Sequence, residues 1–254
     1  QDGETEKIIT IPVNEDTDIE DLESFQIVLS GTTGGAEIGL TSVATVSIQD
    51  DDGPASIDPT FEMRPDSFDG TIQAIAVQTN GRVVVGGLFQ QAGRVSRRGV
   101  ARLESDGALD ESFDPGSGLS FNSSLGNAKL VKLQHGGKIL IAGTFNKVNG
   151  TNRNYIARLN EDGSLDASLN AGTSARDGAT VADIRWLELL SDNQIIVGGG
   201  FTTFNEISRN GLARLDTNGA VDLSYIPVGA QSVMPFGLQT DGKVIELIPD
   251  LEAA

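Results

Sequence analysis

"ARLNEDGSLDASLNAG", residues 157–172, reads alone as a polar hairpin, but close copies stand elsewhere: "ARLESDGALDESFDPG" at 101–116 and "ARLDTNGAVDLSYIPV" at 213–228. A second element fixes the spacing. "GGLF" begins at Gly86, "AGTF" at Ala142 and "GGGF" at Gly198, each step being 56 residues. Arg97, Arg153 and Arg209 keep that period, as do Arg102, Arg158 and Arg214 inside "ARL" and Asp110, Asp166 and Asp222 downstream. Self-similarity at a fixed period signals propellers, solenoids or arrays.

Within one repeat the pattern is that of strands. "AKLVKLQ" (128–134) alternates, "HGGK" turns, and "KILIAGTF" (138–145) is apolar enough to be buried on both faces. The loop "NKVNGTNRN" precedes "YIARLN", the turn "EDGS" and "LDASL". That predicts four short strands per unit, with the Asp162-Gly163 pair supplying the positive φ of a two-residue hairpin turn, and four antiparallel strands make one propeller blade. A fourth unit opens at "GLQTDGKVIELI" (237–248), seven residues early, since Asn193 to Gly242 is 49 residues. Propellers close with roughly four to eight blades, so the expectation is an incomplete propeller and a piece of a longer protein.

Bulk composition agrees with an all-β chain. Of 254 residues, 38% are hydrophobic, which supplies a core, and 31 glycines suit many tight turns. The net charge of −18 is uneven: residues 1–53 hold thirteen Asp or Glu against one Lys. Such a field repels nucleic acid and anionic lipid and attracts divalent cations. No eighteen-residue apolar run predicts a membrane span, and the absence of Cys excludes disulfides, thiolate metal sites and cysteine nucleophiles.

The segment "LQHGGKILIAGTFNKVNGTNRNYIARLNEDGSLDASLNAG" resembles the bacterial delta-60 repeat, a β-propeller family, and the likeness covers about residues 55–254. The resemblance implies architecture rather than chemistry: large exported or surface-displayed bacterial proteins with no general enzymatic role. The third repeat departs at "SDNQIIV", where Asn193 replaces the turn glycine, a residue that tolerates the left-handed region.

Residues 1–53 lie outside the repeat. They read as strands 6–13, 23–31 and 41–50, with Ile9, Ile11 and Val13, then Phe25, Ile27 and Leu29, then Val46 and Ile48 on one side. Three such strands suit a partial immunoglobulin-like sandwich (1–53) ahead of the propeller repeats (54–254). "ITIPVNEDTDIEDLESFQIVLS" followed by "ATVSIQDDDGP" resembles the C-terminal half of a Calx-β domain, with Asp21-Leu22 where that family has Gly-Asp. Carried over by position, the resemblance implies calcium ligands at Asp16, Glu20, Glu23, Asp50, Asp51 and Asp52. Ca²⁺ takes six to eight oxygens, and clustered carboxylates repel by roughly 4 kcal/mol per close pair near a surface until a cation enters.

The remaining candidates have plain explanations. "NEDGSLD" imitates a calcium loop through Asn160, Asp162, Gly163 and Asp166, but the closing Glu of an EF-hand is missing and a turn explains it. The arginines at 102, 158 and 214 predict structural ion pairs with the recurrent Asp. His135, the one histidine, lies in a turn, which leaves a triad or zinc site little to build with, and Trp186, aligned with Leu130 and Ala74, is expected between blades. The sequence therefore predicts a non-catalytic, extracellular or cell-surface scaffold whose propeller loops present a protein or glycan ligand site. A carbohydrate-active enzyme or lectin, and a passive spacer, are the alternatives.

Overall fold

The structure is a computed structural model that describes residues 10–11, 23–31, 42–48, 61, 68–178, 180–227 and 235–246. The chain divides into two compact units, Gln1–Phe61 and Glu62–Ala254. In the first, strands β1 (Glu23–Val28) and β2 (Val43–Ile48) pair antiparallel with Phe25 opposite Val46 and Ile27 opposite Ala44. Phe25, Ile27 and Ile48 are half-buried as the alternation predicts, but Leu29 and Val46, expected on the same side, are exposed. The expected strand 6–13 lies outside the described residues apart from Thr10 and Ile11.

The second unit repeats one plan. The first repeat contains β3 (Thr71–Val77), β4 (Val83–Leu88), β5 (Gln91–Ala92), β6 (Val95–Ser96) and β7 (Val100–Leu103). The second contains β8 (Leu119–Phe121), β9 (Ser124–Leu125), β10 (Asn127–Leu133), β11 (Ile139–Thr144), β12 (Lys147–Val148), β13 (Thr151–Asn152) and β14 (Ile156–Leu159). The third contains β15 (Ala175–Asp177), β16 (Thr180–Val181), β17 (Ile184–Leu189), β18 (Ile195–Gly199), β19 (Thr203–Phe204), β20 (Ile207–Ser208) and β21 (Leu212–Leu215). A fourth pair, β22 (Pro235–Leu238) and β23 (Val244–Glu246), follows. Each full repeat has a three-stranded antiparallel sheet with the apolar strand in the middle: β3-β4-β7, β10-β11-β14 and β17-β18-β21.

The fourth strand of each unit is a single bridged pair rather than a ladder, Leu103 with Leu109, Leu159 with Leu165 and Leu215 with Val221. The recurrent Asp is the reason. Oδ1 of Asp166 accepts hydrogen bonds from the Ser168 amide (2.9 Å) and hydroxyl (2.7 Å), and Asp110 and Asp222 hold Ser112 and Ser224 the same way. These turns bend the chain out of the sheet after one residue pair.

The segment read as a loop, "NKVNGTNRN", is instead a second hairpin. Asn149 (φ 46°) and Gly150 (φ 73°) form a two-residue turn between β12 and β13. This hairpin pairs with β8-β9 in a small sheet ordered β13-β12-β8-β9, and the third repeat matches it with β16-β15-β19-β20. The "EDGS" turn also differs from expectation: only Gly163 has positive φ (89°), and Asn160 pairs with Ser164 across a three-residue loop. Asn193 adopts φ 65° in the place of a turn glycine, as read from the sequence.

Two cores lie between the sheets. Along β11, Ile139 and Ile141 pack with Val84, Val100 and Phe113 of the first repeat, whereas Leu140 and Ala142 pack with Ile184, Leu187 and Val197 of the third. All four β11 residues are fully buried, which explains an uninterrupted apolar strand. Burying each large aliphatic side chain contributes about 1.5–3 kcal/mol, and the gain exists only when the neighbouring repeat is present.

Candidate functional site

The polar side chains that recur once per repeat converge on the junctions between sheets. Arg158, on β14 and 8% exposed, donates from Nε to Asp166 Oδ2 (2.8 Å) and from Nη2 to Ser168 Oγ (2.9 Å). Its Nη1 donates to the Thr217 carbonyl of the third repeat (2.9 Å). Arg102 repeats the arrangement one period earlier, to Asp110 Oδ2 (2.6 Å) and to the Glu161 carbonyl (2.6 Å). The predicted ion pair is thus present at Arg102, Arg158 and Arg214, and Arg102 and Arg158 also tie their repeats to the next. Arg102 stacks over Phe113 and Arg214 over Tyr225, at 4.9 and 4.7 Å from the ring centres.

Electrostatics follow the geometry. Burial alone would raise the Asp166 carboxyl, but the Ser168 hydroxyl, Lys138 and Arg158 together hold it well below the usual carboxylate range. Asp110 is lowered by the same balance, burial opposing Ser112 and Arg102. Asp222, which is half-buried, is lowered to about 2 by the Ser224 hydroxyl and amide and by Arg214. The second recurrent arginine serves the backbone: Arg153 Nη1 and Nη2 donate to the Asn152 and Ala167 carbonyls, with Arg97 and Arg209 alike.

Beside the Arg158–Asp166 pair lies a polar cleft of about 260 Å³, reached by Gln134, His135, Lys138, Asn193, Thr217 and Asn218. It sits at the junction of the second and third repeats. Lys138 Nζ donates to Asp166 Oδ2 (2.9 Å) and Asn160 Oδ1 (2.5 Å). Gln134 is 7% exposed; its Oε1 accepts from Arg158 Nη1 at 3.4 Å, and its Nε2 has no partner. Sequence reading missed this gathering, although Asn193 and Thr217 differ in kind from Gly137 and Glu161, which stand one period earlier.

Of the carboxylates predicted to hold calcium, Glu23 opens β1 and is exposed. Asp16, Glu20, Asp50, Asp51 and Asp52 lie outside the described residues. Among the described residues no group of three or more His, Asp or Glu side chains is placed to share a metal ion. Asp162 instead accepts from the Ser164 amide and hydroxyl (2.9 and 2.6 Å), so "NEDGSLD" is a self-bonded turn. His135 is exposed in its turn, and Trp186 is half-buried beside a register shift between Ile184 and Trp186.

Among the described residues no helix is long and apolar enough to cross a membrane. No curated protein matches the chain. Three segments, residues 78–113, 137–169 and 190–225, match the family model described as "Domain of unknown function (DUF5122) beta-propeller". Those segments coincide with the turn, central strand and closing Asp of each structural repeat, so residues 78–225 form a β-propeller-type repeat region whose family description assigns no function.

Proposed function

We propose that the chain is a non-catalytic scaffold from a modular exported protein, in which propeller repeats present loops for adhesion or ligand binding behind a calcium-binding front unit. One observation carries the scaffold reading. The charged groups repeated in every unit are spent inside the fold: Arg102 and Arg158 pair with Asp110 and Asp166 and reach a carbonyl of the next repeat. A catalytic pair needs carboxylates facing a substrate, and these face arginines and serines.

The calcium part rests on the Calx-β likeness and on the acidic bias of residues 1–53. Its test is thermal melting of the whole chain in millimolar calcium and in chelator. A ligand at ten times its dissociation constant stabilises the unit that binds it by about 1.4 kcal/mol. An upward shift that Asp50→Asn, Asp51→Asn and Asp52→Asn together abolish supports the site, and superimposable melts reduce the front unit to a spacer. Glycan hydrolysis by the chain, lost on changing a single carboxylate, would overturn the scaffold reading in favour of an enzyme.

A further inference from the structure

The exposed aliphatic side chains of the repeat unit gather at its two ends. Of the seven exposed large aliphatics among its described residues, only Leu88 and Val181 lie elsewhere. Ile75 and Val77 belong to β3, the first strand of the first repeat, and Ile245 belongs to β23 in the last pair. Leu223 and Ile226 follow the third repeat, in the places that Glu111 and Asp114 hold after the first. Single exposed aliphatics are ordinary, but apolar surface collected at the ends of a stacked array marks faces that stacking has not covered.

The internal junctions show what covers such faces. Val131 on β10 and Leu187 on β17 stand one and two periods after Ile75. Val131 is 7% exposed and shares a core with Val84 of the first repeat, and Leu187 is 1% exposed and shares one with Leu140 of the second. The fit is close: a Cβ on Gly86 of β4 would lie 2.9 Å from a Val131 methyl. Ile75 and Val77 present the same face, yet they are 65% and 63% exposed. At the other end Gly242 takes the turn position of Gly137, so Ile245 takes the place of Leu140. It is 49% exposed, whereas Leu140 is fully buried.

The two open faces also match in extent. Val83 and Val85 on β4 hold the places of Ile139 and Ile141 and are buried, so the opening in the first repeat is confined to β3. The last pair, β22-β23, consists of a first and a middle strand. Those are the two strands on which β10 lies at the first junction, where it packs on β3 and β4.

We propose that the repeat unit docks head to tail on a second copy of this chain, β3 of one copy lying on β22-β23 of the other. Ile75 then joins Ile245 of the second copy in one core, as Val131 joins Val84 and Leu187 joins Leu140 within a single copy. The contact is heterologous, with a different surface used on each copy. It goes beyond the scaffold reading and depends neither on calcium nor on a loop ligand. Two chains of net charge −18 repel, so an apolar contact between them strengthens as salt screens that repulsion.

The experiment is sedimentation velocity of the full chain from about 1 to 500 μM, at about 0.15 and 0.5 M salt. The expected result is a mass that rises with concentration and rises further at the higher salt. Two variants at exposed positions, Ile75→Lys combined with Val77→Lys, and Ile245→Lys, should each weaken association about tenfold or more with the melting temperature retained. Each variant keeps the face that the other has lost. An equimolar mixture of the two should therefore form a one-to-one dimer. A chain that stays monomeric throughout, association weakened by salt, association untouched by either variant, or a mixture that stays monomeric overturns the proposal. Loss with the β3 variant alone would mean a symmetric β3-to-β3 contact and overturns it too. With melting unchanged, any of these failures leaves the scaffold reading standing.

Discussion

Gly163→Ala tests whether the repeated turn docks on its neighbour or merely reverses the chain. Gly163 sits at φ 89°, where an L residue pays about 1–2 kcal/mol, offset by up to about 1 kcal/mol from a less flexible unfolded chain. Turn geometry alone therefore predicts a loss of about 1 kcal/mol. The structure adds a second cost. A Cβ on residue 163 would lie 2.8 Å from the Asp114 nitrogen and 2.9 Å from its carbonyl carbon, backbone atoms of the preceding repeat. Those atoms cannot rotate away, and the Asp114 amide donates to the Asp162 carbonyl at 2.7 Å. Relieving the overlap strains or breaks that bond, and overpacking costs typically about 1–3 kcal/mol. The total is about 3 kcal/mol. Gly150→Ala is the control, since Gly150 has φ 73° and nothing within 4 Å of a built Cβ. Each kcal/mol shifts the melting temperature of a unit of this size by about 2–4 °C. Melting should therefore fall by about 6–12 °C for Gly163→Ala and by about 2–4 °C for Gly150→Ala. Equal losses would refute the docking argument and leave only turn strain.

Two further outcomes follow from the junction network. Arg158→Met should cost about 2–3 kcal/mol in urea unfolding, less than a fully orphaned buried charge because Lys138 still pairs with Asp166. A double-mutant cycle with Asp166→Asn should return a coupling of about 1 kcal/mol or more, and a coupling near zero would contradict the pair's structural role. Acid sensitivity should come from Asp110, Asp166 and Asp222, all lowered in the fold. A lowered carboxyl stabilises fully above its unfolded value of about 3.9 and loses that contribution as pH falls toward the folded value. For Asp222, whose folded value is about 2, the window is about pH 4 down to 2. Melting temperature should be flat from about pH 7 to 5 and decline below 4, and Asp222→Asn should blunt the decline; a loss beginning above pH 5 would implicate other groups.

The period, the doubly buried β11 and the Arg–Asp pairs were legible in the sequence because each rests on a strong local signal repeated in register. Asn193 was legible too, since few residues besides Gly enter the left-handed region. The small second sheet was not, because strands of two residues leave no alternation to detect, although Asn149-Gly150 is a strong hairpin signal. The fourth strand was overread from the apolar Leu165 and Leu169: the Asp166–Ser168 turn competes with the sheet and wins. The cleft was hidden by the strength of the repeat itself. Matching residues draw attention to what recurs, whereas Asn160, Asn193, Thr217 and Asn218 stand where the period places Glu104, Gly137, Glu161 and Asp162. A subtraction of one period from the next would have exposed it.

The alternation along β11 has a consequence for how such a gene can change. Because successive β11 side chains serve different neighbours, inserting or deleting one residue there exchanges the two faces and sends each side chain to the wrong core. Within the three units spaced at 56 residues, a duplication or loss of one period behaves in the opposite way: each strand meets a copy of its former neighbour, and Arg102 and Arg158 meet a carbonyl in register. Length is thus tightly constrained at the scale of one residue and free at the scale of one period. Arrays of this type can grow or shrink in single recombination events without passing through an unfolded intermediate sequence.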